Sequence, residues 1–165
     1  MTQENYDLIT TAGQFIRQYT NQKKYNSRKL AELKCALVDL IFPFLENPTV
    51  LKSIEVTRKY SRGERNIMFR NIKETAKRPS NFVYQLSGAN SEYNVGLGVI
   101  FHYHVLDKEM QSSFKMSFWL LLHKLVADGV KEYLVFTMGL SDQKAEELML
   151  SICKENLPLS TWNVS

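Results

Sequence analysis

The spacing of apolar residues changes near residue 50, and this change constrains the fold more than any other feature of the sequence. Before it, apolar side chains recur every three or four residues, which predicts two amphipathic helices. The first helix carries Leu8, Ala12, Phe15 and Tyr19, and the second carries Leu30, Leu33, Leu37, Leu40, Ile41 and Phe44. From Val50 onward apolar and polar residues alternate, which is typical of a half-buried strand. The sequence therefore predicts helices followed by a sheet.

Alternating apolar residues predict four consecutive strands and a fifth one later in the chain. The four are expected over 50–60, about 65–73, 82–86 and 93–106, and the fifth, a buried strand, over 133–138. Residues 61–64 are predicted to form a hairpin turn. By spacing alone 65–77 fits either a strand or a helix, and a hairpin through about residue 73 is favoured.

Two further helices complete the predicted order of elements. Asp107 is expected to cap a helix that stops at Gly129, and Ser141 is expected to cap a last helix that runs to about residue 155. The order is then ααββββαβα, an α+β fold with a largely antiparallel sheet. No repeat or linker divides the chain, so we expect a single domain over 1–165 with a short C-terminal tail over about 157–165.

Composition excludes several classes of protein. The chain has 165 residues, of which 44% are hydrophobic, which is enough for a packed core. Its longest apolar stretches fall far short of the roughly 20 residues that a membrane helix needs, and no secretory signal is predicted at the start. The two cysteines, Cys35 and Cys153, are too few for a disulfide framework. A cytoplasmic protein, or a nuclear one in a eukaryote, with no membrane partner is expected.

Basic residues are concentrated between residues 52 and 78. This segment holds nine basic and three acidic residues, a net charge of +6, whereas the whole chain carries +4. Such a local excess of positive charge predicts a surface that faces a polyanion. The residues expected to contact it are Arg58, Lys59, Arg62, Arg65, Arg70, Lys77 and Arg78.

The first functional hypothesis is a small nucleic-acid-binding or regulatory protein that contacts DNA or RNA. On a β-hairpin over about 52–78, arginines would lie in rows that meet successive phosphates and release counterions. Interleaved aromatic residues such as Tyr60 and Phe69 could stack on unpaired bases. The alternative is that these charges only protect and solvate the edge of a sheet.

A histidine pair, His102 and His104, supports a second hypothesis. On a strand the two side chains project from the same face and can bind one divalent metal ion. The surrounding stretch 99–106 resembles the His–hydrophobe–His motif of HUH-type nicking endonucleases. That resemblance implies a metal-dependent, phosphodiester-cleaving enzyme with a helical tyrosine nucleophile and a third polar ligand. Tyr133 is the only later tyrosine, and the candidates for the third ligand are Glu92, Asp107 and His123.

The third hypothesis is an adaptor or chaperone-like protein-interaction module. Its partner would be another protein or a second copy of the chain. The contact surface would be either the apolar stripe between Leu30 and Phe44 or the aromatic faces of the predicted strands. Metal and cofactor are not required under this hypothesis.

Overall fold

The computed structural model describes residues 1–64, 91–100 and 116–162, and the regular elements in these ranges are all helical. The described ranges contain seven α-helices: α1 (Gln3–Asp7), α2 (Ala12–Thr20), α3 (Ser27–Asp39), α4 (Pro48–Ser61), α5 (Ser91–Ile100), α6 (Met116–Glu132) and α7 (Asp142–Asn156). Short 3₁₀ turns cover Phe42–Phe44 and Leu159–Thr161, and a π-helical turn covers Tyr133–Thr137. The predicted α+β fold with a largely antiparallel sheet is therefore wrong, because these ranges contain no strand.

Capping residues set the starts of the helices that the sequence does predict. The Asn26 side chain accepts hydrogen bonds from the backbone N–H groups of Arg28 and Lys29, both at 3.1 Å, and α3 begins after it. Ser141 accepts one from the backbone N–H of Lys144 at 3.2 Å, and α7 begins there. These bonds satisfy N–H groups that have no partner within the helix.

Helix α4 replaces the strand predicted over 50–60. Its buried face includes Ser53 and Thr57 together with Val50 and Ile54, at the three-to-four-residue spacing of a helix. The Ser53 hydroxyl donates to the Val50 carbonyl at 2.7 Å, and the Thr57 hydroxyl donates to the Ser53 carbonyl at 2.8 Å. Because these hydroxyls are satisfied within the helix, they can lie in the core. Because Ser53 and Thr57 are polar, a pattern based on apolar residues alone omits them. The remaining apolar residues then alternate with polar ones as in a strand.

The start and end of α4 also correct the predicted hairpin. Asn47 accepts from the N–H groups of Thr49 and Val50, and Pro48 occupies the first turn, where a missing N–H costs nothing. The helix ends at Ser61, and Gly63 follows with φ +98°. The predicted turn at 61–64 is therefore the end of a helix.

Helix α5 replaces the described part of the strand predicted over 93–106. Residues 95–99 are all buried, so no polar face reveals a helical period in the sequence. Its backbone lies very close to α6: a Cβ added to Gly98 would be 2.2 Å from the Val126 nitrogen. A Cβ on Gly129 of α6 would be 2.7 Å from the Ser91 carbonyl oxygen. The two glycines thus allow a helix contact that larger residues would prevent.

Helix α6 continues past the predicted stop at Gly129 and leads directly into the turn Tyr133–Thr137. This turn replaces the fifth predicted strand, over 133–138. The Met138 N–H donates to the Tyr133 carbonyl at 3.0 Å, five residues back, which is the π-helical pattern. The chain then reverses at Gly139, whose φ is +74°.

The helices pack around α6, which contacts α2, α3, α5 and α7, while α4 packs against α3 and α5. The residues after α7 close one side of the core. Trp162 is buried, and its ring meets those of Tyr6, Phe15 and Tyr19 edge-on at centroid distances of 5.5, 5.1 and 5.2 Å. Among the residues described, no helix is both long and apolar enough to cross a membrane.

Candidate functional site

The basic segment does not form the predicted β-hairpin. Its residues up to Ser61 belong to helix α4, which places Arg58 and Lys59 in the last turn and Arg62 just after it. The other predicted contacts, Arg65, Arg70, Lys77 and Arg78, lie outside the described residues. A nucleic-acid-binding protein that acts through a basic β-hairpin is therefore a wrong prediction for this chain.

Three of the four described bases of this segment, Lys52, Arg58 and Lys59, form ion pairs with carboxylates. Lys59 and Lys52 lie 2.9 and 3.3 Å from the two oxygens of Glu55, and their hydrogen bonds lower the pKa of that carboxyl group. Arg58 forms an ion pair with Asp39, and the hydrogen bond that it donates to this carboxylate raises the pKa of the guanidinium group. This end of α4 consequently has mixed charge instead of a cationic face.

The predicted metal-binding pair, His102 and His104, also lies outside the described residues. Two of the three candidate ligands beside it have other contacts, and Asp107 is outside as well. Glu92 accepts from two backbone N–H groups, and His123 is buried next to Lys34. Within the ranges that the structure describes, no group of three His, Cys, Asp or Glu residues could hold a metal ion.

A buried lysine forms a polar cluster in the core that the sequence analysis missed. Lys34 of α3 is 0% exposed, and its Nζ donates to the Gly98 carbonyl of α5 at 2.7 Å. The same Nζ lies 3.2 Å from Nδ1 of His123 on α6. Burial lowers the pKa of Lys34 well below its usual value, because the low-dielectric interior disfavours the charged ammonium. The sequence does carry a signal for this buried lysine: Lys34 lies four residues after Leu30 and three before Leu37, on the same apolar face of the helix.

The arrangement around Lys34 joins three helices through one amine. A neutral amine can donate to Gly98 while accepting from or donating to the imidazole of His123. The ring of Tyr25 lies edge-on to the imidazole at a centroid distance of 6.2 Å, and burial raises the pKa of its hydroxyl. His123 is only 2% exposed, so solvent reaches neither reactive group. The cluster therefore serves to hold α3, α5 and α6 together.

An open cleft at the end of α6 is the most exposed aromatic surface of the described residues. The ring of Phe44 stacks on that of Tyr133, with 6.4 Å between centroids and 16° between planes. Phe136 lies one turn further along and is 83% exposed, the highest value among the large hydrophobic residues described. The cleft has a volume of about 270 Å³. Its lining residues are Ser91, Glu92, Glu132, Tyr133, Phe136 and Thr137.

Helices from distant parts of the chain hold this cleft in place. One oxygen of Glu92, on α5, accepts from the backbone N–H groups of Glu46 and Asn47 at 2.6 and 2.5 Å. The hydroxyl of Ser91 donates to Glu132 at the end of α6. These bonds connect the start of α4, the start of α5 and the end of α6. The aromatic side chains are thus presented on a fixed frame.

The cleft is acidic. Glu92 and Glu132 line it, Glu46 lies beside it, and no lysine or arginine appears among its described lining residues. The pKa of the Tyr133 hydroxyl is raised, first by burial and then by the negative charges of Glu92 and Glu46. The sequence does not reveal the site because its parts are some 40 residues apart, and because the predictions place Phe44 on a helix but Tyr133 and Phe136 on a strand.

The apolar stripe proposed as a contact surface lies mostly in the core. Leu30, Leu33, Leu37 and Ile41 are each 0% exposed, whereas Phe44 is 41% exposed. Only the end of the stripe therefore reaches the surface, where Phe44 borders the cleft.

Comparisons with known proteins give this chain no relative. No protein-family model matches the sequence, and neither the curated proteins nor the solved structures give a significant match.

Proposed function

We propose that this protein binds a segment of a partner protein in the cleft at the end of α6. We call it the aromatic cleft, because Tyr133 and Phe136 line it and Phe44 stacks on Tyr133 at its border. The observation that carries the proposal is the 83% exposure of Phe136 beside the stacked pair of Phe44 and Tyr133. Burying one such phenylalanine in a complex is favourable by about 1.5–3 kcal/mol. Aromatic residues that cluster around a concave surface are typical of the centres of protein interfaces.

Size and rigidity also favour a protein segment as the ligand. A volume of about 270 Å³ is below the range of roughly 300–1,000 Å³ common for small-molecule and cofactor sites, and it suits one or two side chains. Because Tyr133 is already stacked on Phe44, little side-chain freedom is lost when a partner binds. The carboxylates of Glu92 and Glu132 would repel the phosphates of a nucleic acid.

Selection from a displayed library of random peptides tests this proposal. We expect the wild-type protein to enrich peptides that Phe136→Asp fails to bind, because a charge at the centre of the cleft opposes apolar contact. Leu148→Asp is the matched control, since Leu148 is 38% exposed on α7 and does not line the cleft. Circular dichroism establishes that both variants remain helical.

Two results would overturn the proposal. One is a set of peptides that binds the Phe136→Asp variant as well as the wild type. The other is a dimer in sedimentation analysis that Phe136→Asp dissociates, because a second copy of the chain would then occupy the cleft.

A further inference from the structure

We infer that the partner segment is cationic and places a lysine or arginine side chain in the cleft between the aromatic rings and the carboxylates. This inference rests on the proposed function and names the chemistry of its ligand. The carboxylates of Glu92 and Glu132 line the cleft, and that of Glu46 is near enough for its charge to act on Tyr133. An incoming ammonium or guanidinium group would find acceptors on one side and ring faces on the other.

The carboxylates of the cleft differ from those that form ion pairs elsewhere in the protein. Glu55 pairs with Lys52 and Lys59, and Glu146 pairs with Lys131 at 3.3 Å. Within the described part of the chain, no lysine or arginine forms an ion pair with Glu46, Glu92 or Glu132. The hydrogen bonds that Glu92 and Glu132 accept come from neutral N–H and hydroxyl groups, so no cationic side chain among the described residues neutralises these carboxylates.

The raised pKa of Tyr133 agrees with this charge distribution. After burial, its causes are the negative charges of Glu92 and Glu46, so the aromatic face lies in a negative potential. A cation over an aromatic ring is attracted by the ring itself and, here, by the carboxylates around it. The ring and the carboxylates therefore both favour binding of a cation.

The protein uses the same pairing within its own fold. The guanidinium carbon of Arg28 lies 4.4 Å from the centroid of the Tyr60 ring, and that of Arg58 lies 5.6 Å from the centroid of Phe42. Both arginines also have oxygen acceptors, the Tyr60 carbonyl for Arg28 and Asp39 for Arg58. The cleft offers this combination of ring and acceptor without a described internal cation to fill it.

The net charge of the whole chain does not favour binding of a cationic peptide, so such binding would depend on the cleft itself. The protein carries a net charge of +4, so a cationic peptide is not attracted by the molecule as a whole. Tight binding of such a peptide would consequently report the local potential of the cleft.

The experiment compares three designed peptides by calorimetry. The first is an amphipathic Leu/Lys peptide with neutral ends, and its twins carry Gln or Glu in place of every Lys. We expect the Lys peptide to bind the wild-type protein about tenfold more tightly than the Gln twin. A difference of this size corresponds to two to three favourable charge contacts that the Gln twin cannot make. The Glu twin should bind most weakly. Raising the salt from about 0.05 M to about 0.5 M should weaken only the Lys peptide.

Protein variants locate the effect. Glu132→Gln should weaken the Lys peptide about threefold and leave the Gln twin unchanged, because one exposed charge contact contributes a factor of this size. Glu147→Gln is the matched control, since Glu147 is an exposed carboxylate on α7 outside the cleft. Phe136→Asp reports whether a peptide binds in the cleft at all.

The outcomes separate this inference from the proposed function. Equal affinity for the Lys and Gln peptides, with both lost in Phe136→Asp, would overturn the cationic ligand and leave the cleft as a protein-binding site. Equal effects of Glu132→Gln and Glu147→Gln would also overturn it. If Phe136→Asp weakens none of the peptides selected from the library, both the inference and the proposed function fail.

Discussion

Replacing Gly98 by alanine tests the close contact between α5 and α6. The added Cβ would lie 2.2 Å from the Val126 nitrogen and 2.9 Å from the Leu125 carbonyl carbon, far inside the 3.4 Å at which ordinary contact begins. Both neighbours are backbone atoms, so no change of rotamer relieves the clash. The two helices have to separate.

The expected loss follows from three terms. Overpacking of a core usually costs about 1–3 kcal/mol, and a contact with backbone belongs at the upper end. Separation of the helices also disturbs the 2.7 Å hydrogen bond from Lys34 to the Gly98 carbonyl. The Lys34 amine keeps its contact with His123, so losing this one bond costs roughly 0.5–1.5 kcal/mol, while the better helix propensity of alanine returns about 1 kcal/mol. We therefore expect a net loss of about 3 kcal/mol in the free energy of unfolding.

Urea unfolding followed by circular dichroism measures this loss, and Gly13→Ala is the matched control. Gly13 lies on α2 with nothing within 4 Å of an added Cβ. Its replacement should stabilise the protein by about 0.5–1 kcal/mol through helix propensity alone. A Gly98→Ala variant as stable as Gly13→Ala would refute the packing of α5 on α6.

Two further predictions concern the core. Because burial lowers the pKa of Lys34, the unfolded chain binds a proton that the folded chain does not, and the stability should rise with pH. As the pH rises toward about 10.4, the usual pKa of lysine, the wild type should gain up to roughly 1.4 kcal/mol per pH unit relative to Lys34→Met, and parallel urea-midpoint curves would contradict a neutral Lys34. Trp162→Ala should cost about 3–5 kcal/mol because the ring is 3% exposed against three aromatic residues, and a loss below about 1 kcal/mol in urea unfolding would show that the C-terminal turn does not close the core.

The sequence predicts helices well where one face is apolar and the other is polar. Helices α2, α3 and α7 have this pattern, and Asn26 and Ser141 mark two of their starts. It fails for α4, because Ser53 and Thr57 are buried with satisfied hydroxyls and do not count as apolar. The period of a helix is visible in a sequence only if the residues that face the core are apolar.

The failure at α5 has a different physical cause. Residues 95–99 are all buried, and glycines alternate with Val95, Leu97 and Val99; at Gly98 the close approach of α6 leaves no room for a larger residue. Alternation of large and small residues then imitates the two faces of a strand. A rule based on neighbouring residues cannot distinguish such a helix from a strand, since α6, which requires the small residue at Gly98, comes from another part of the chain.

The candidate site depends even more on distant contacts. Phe44, Glu92 and Phe136 come from three separate stretches, and hydrogen bonds from Glu46 and Asn47 to Glu92 bring two of these stretches together. The exposure of Phe136 follows from a π-helical turn, in which the nearby Leu134 is 0% exposed. An excess of basic residues is easy to see in a sequence, whereas an acidic cleft assembled from single residues is not.

A titration of the ¹⁵N-labelled protein with the Leu/Lys peptide tests the central claim most directly. If the peptide binds in the aromatic cleft, the backbone amides of 44–46 and 132–137 should show the largest shifts, and those of 145–153 on α7 should stay in place. The Phe136→Asp variant should show no shifts at the same peptide concentration. Shifts centred on α7, or on the arginine-bearing end of α4, would contradict the account.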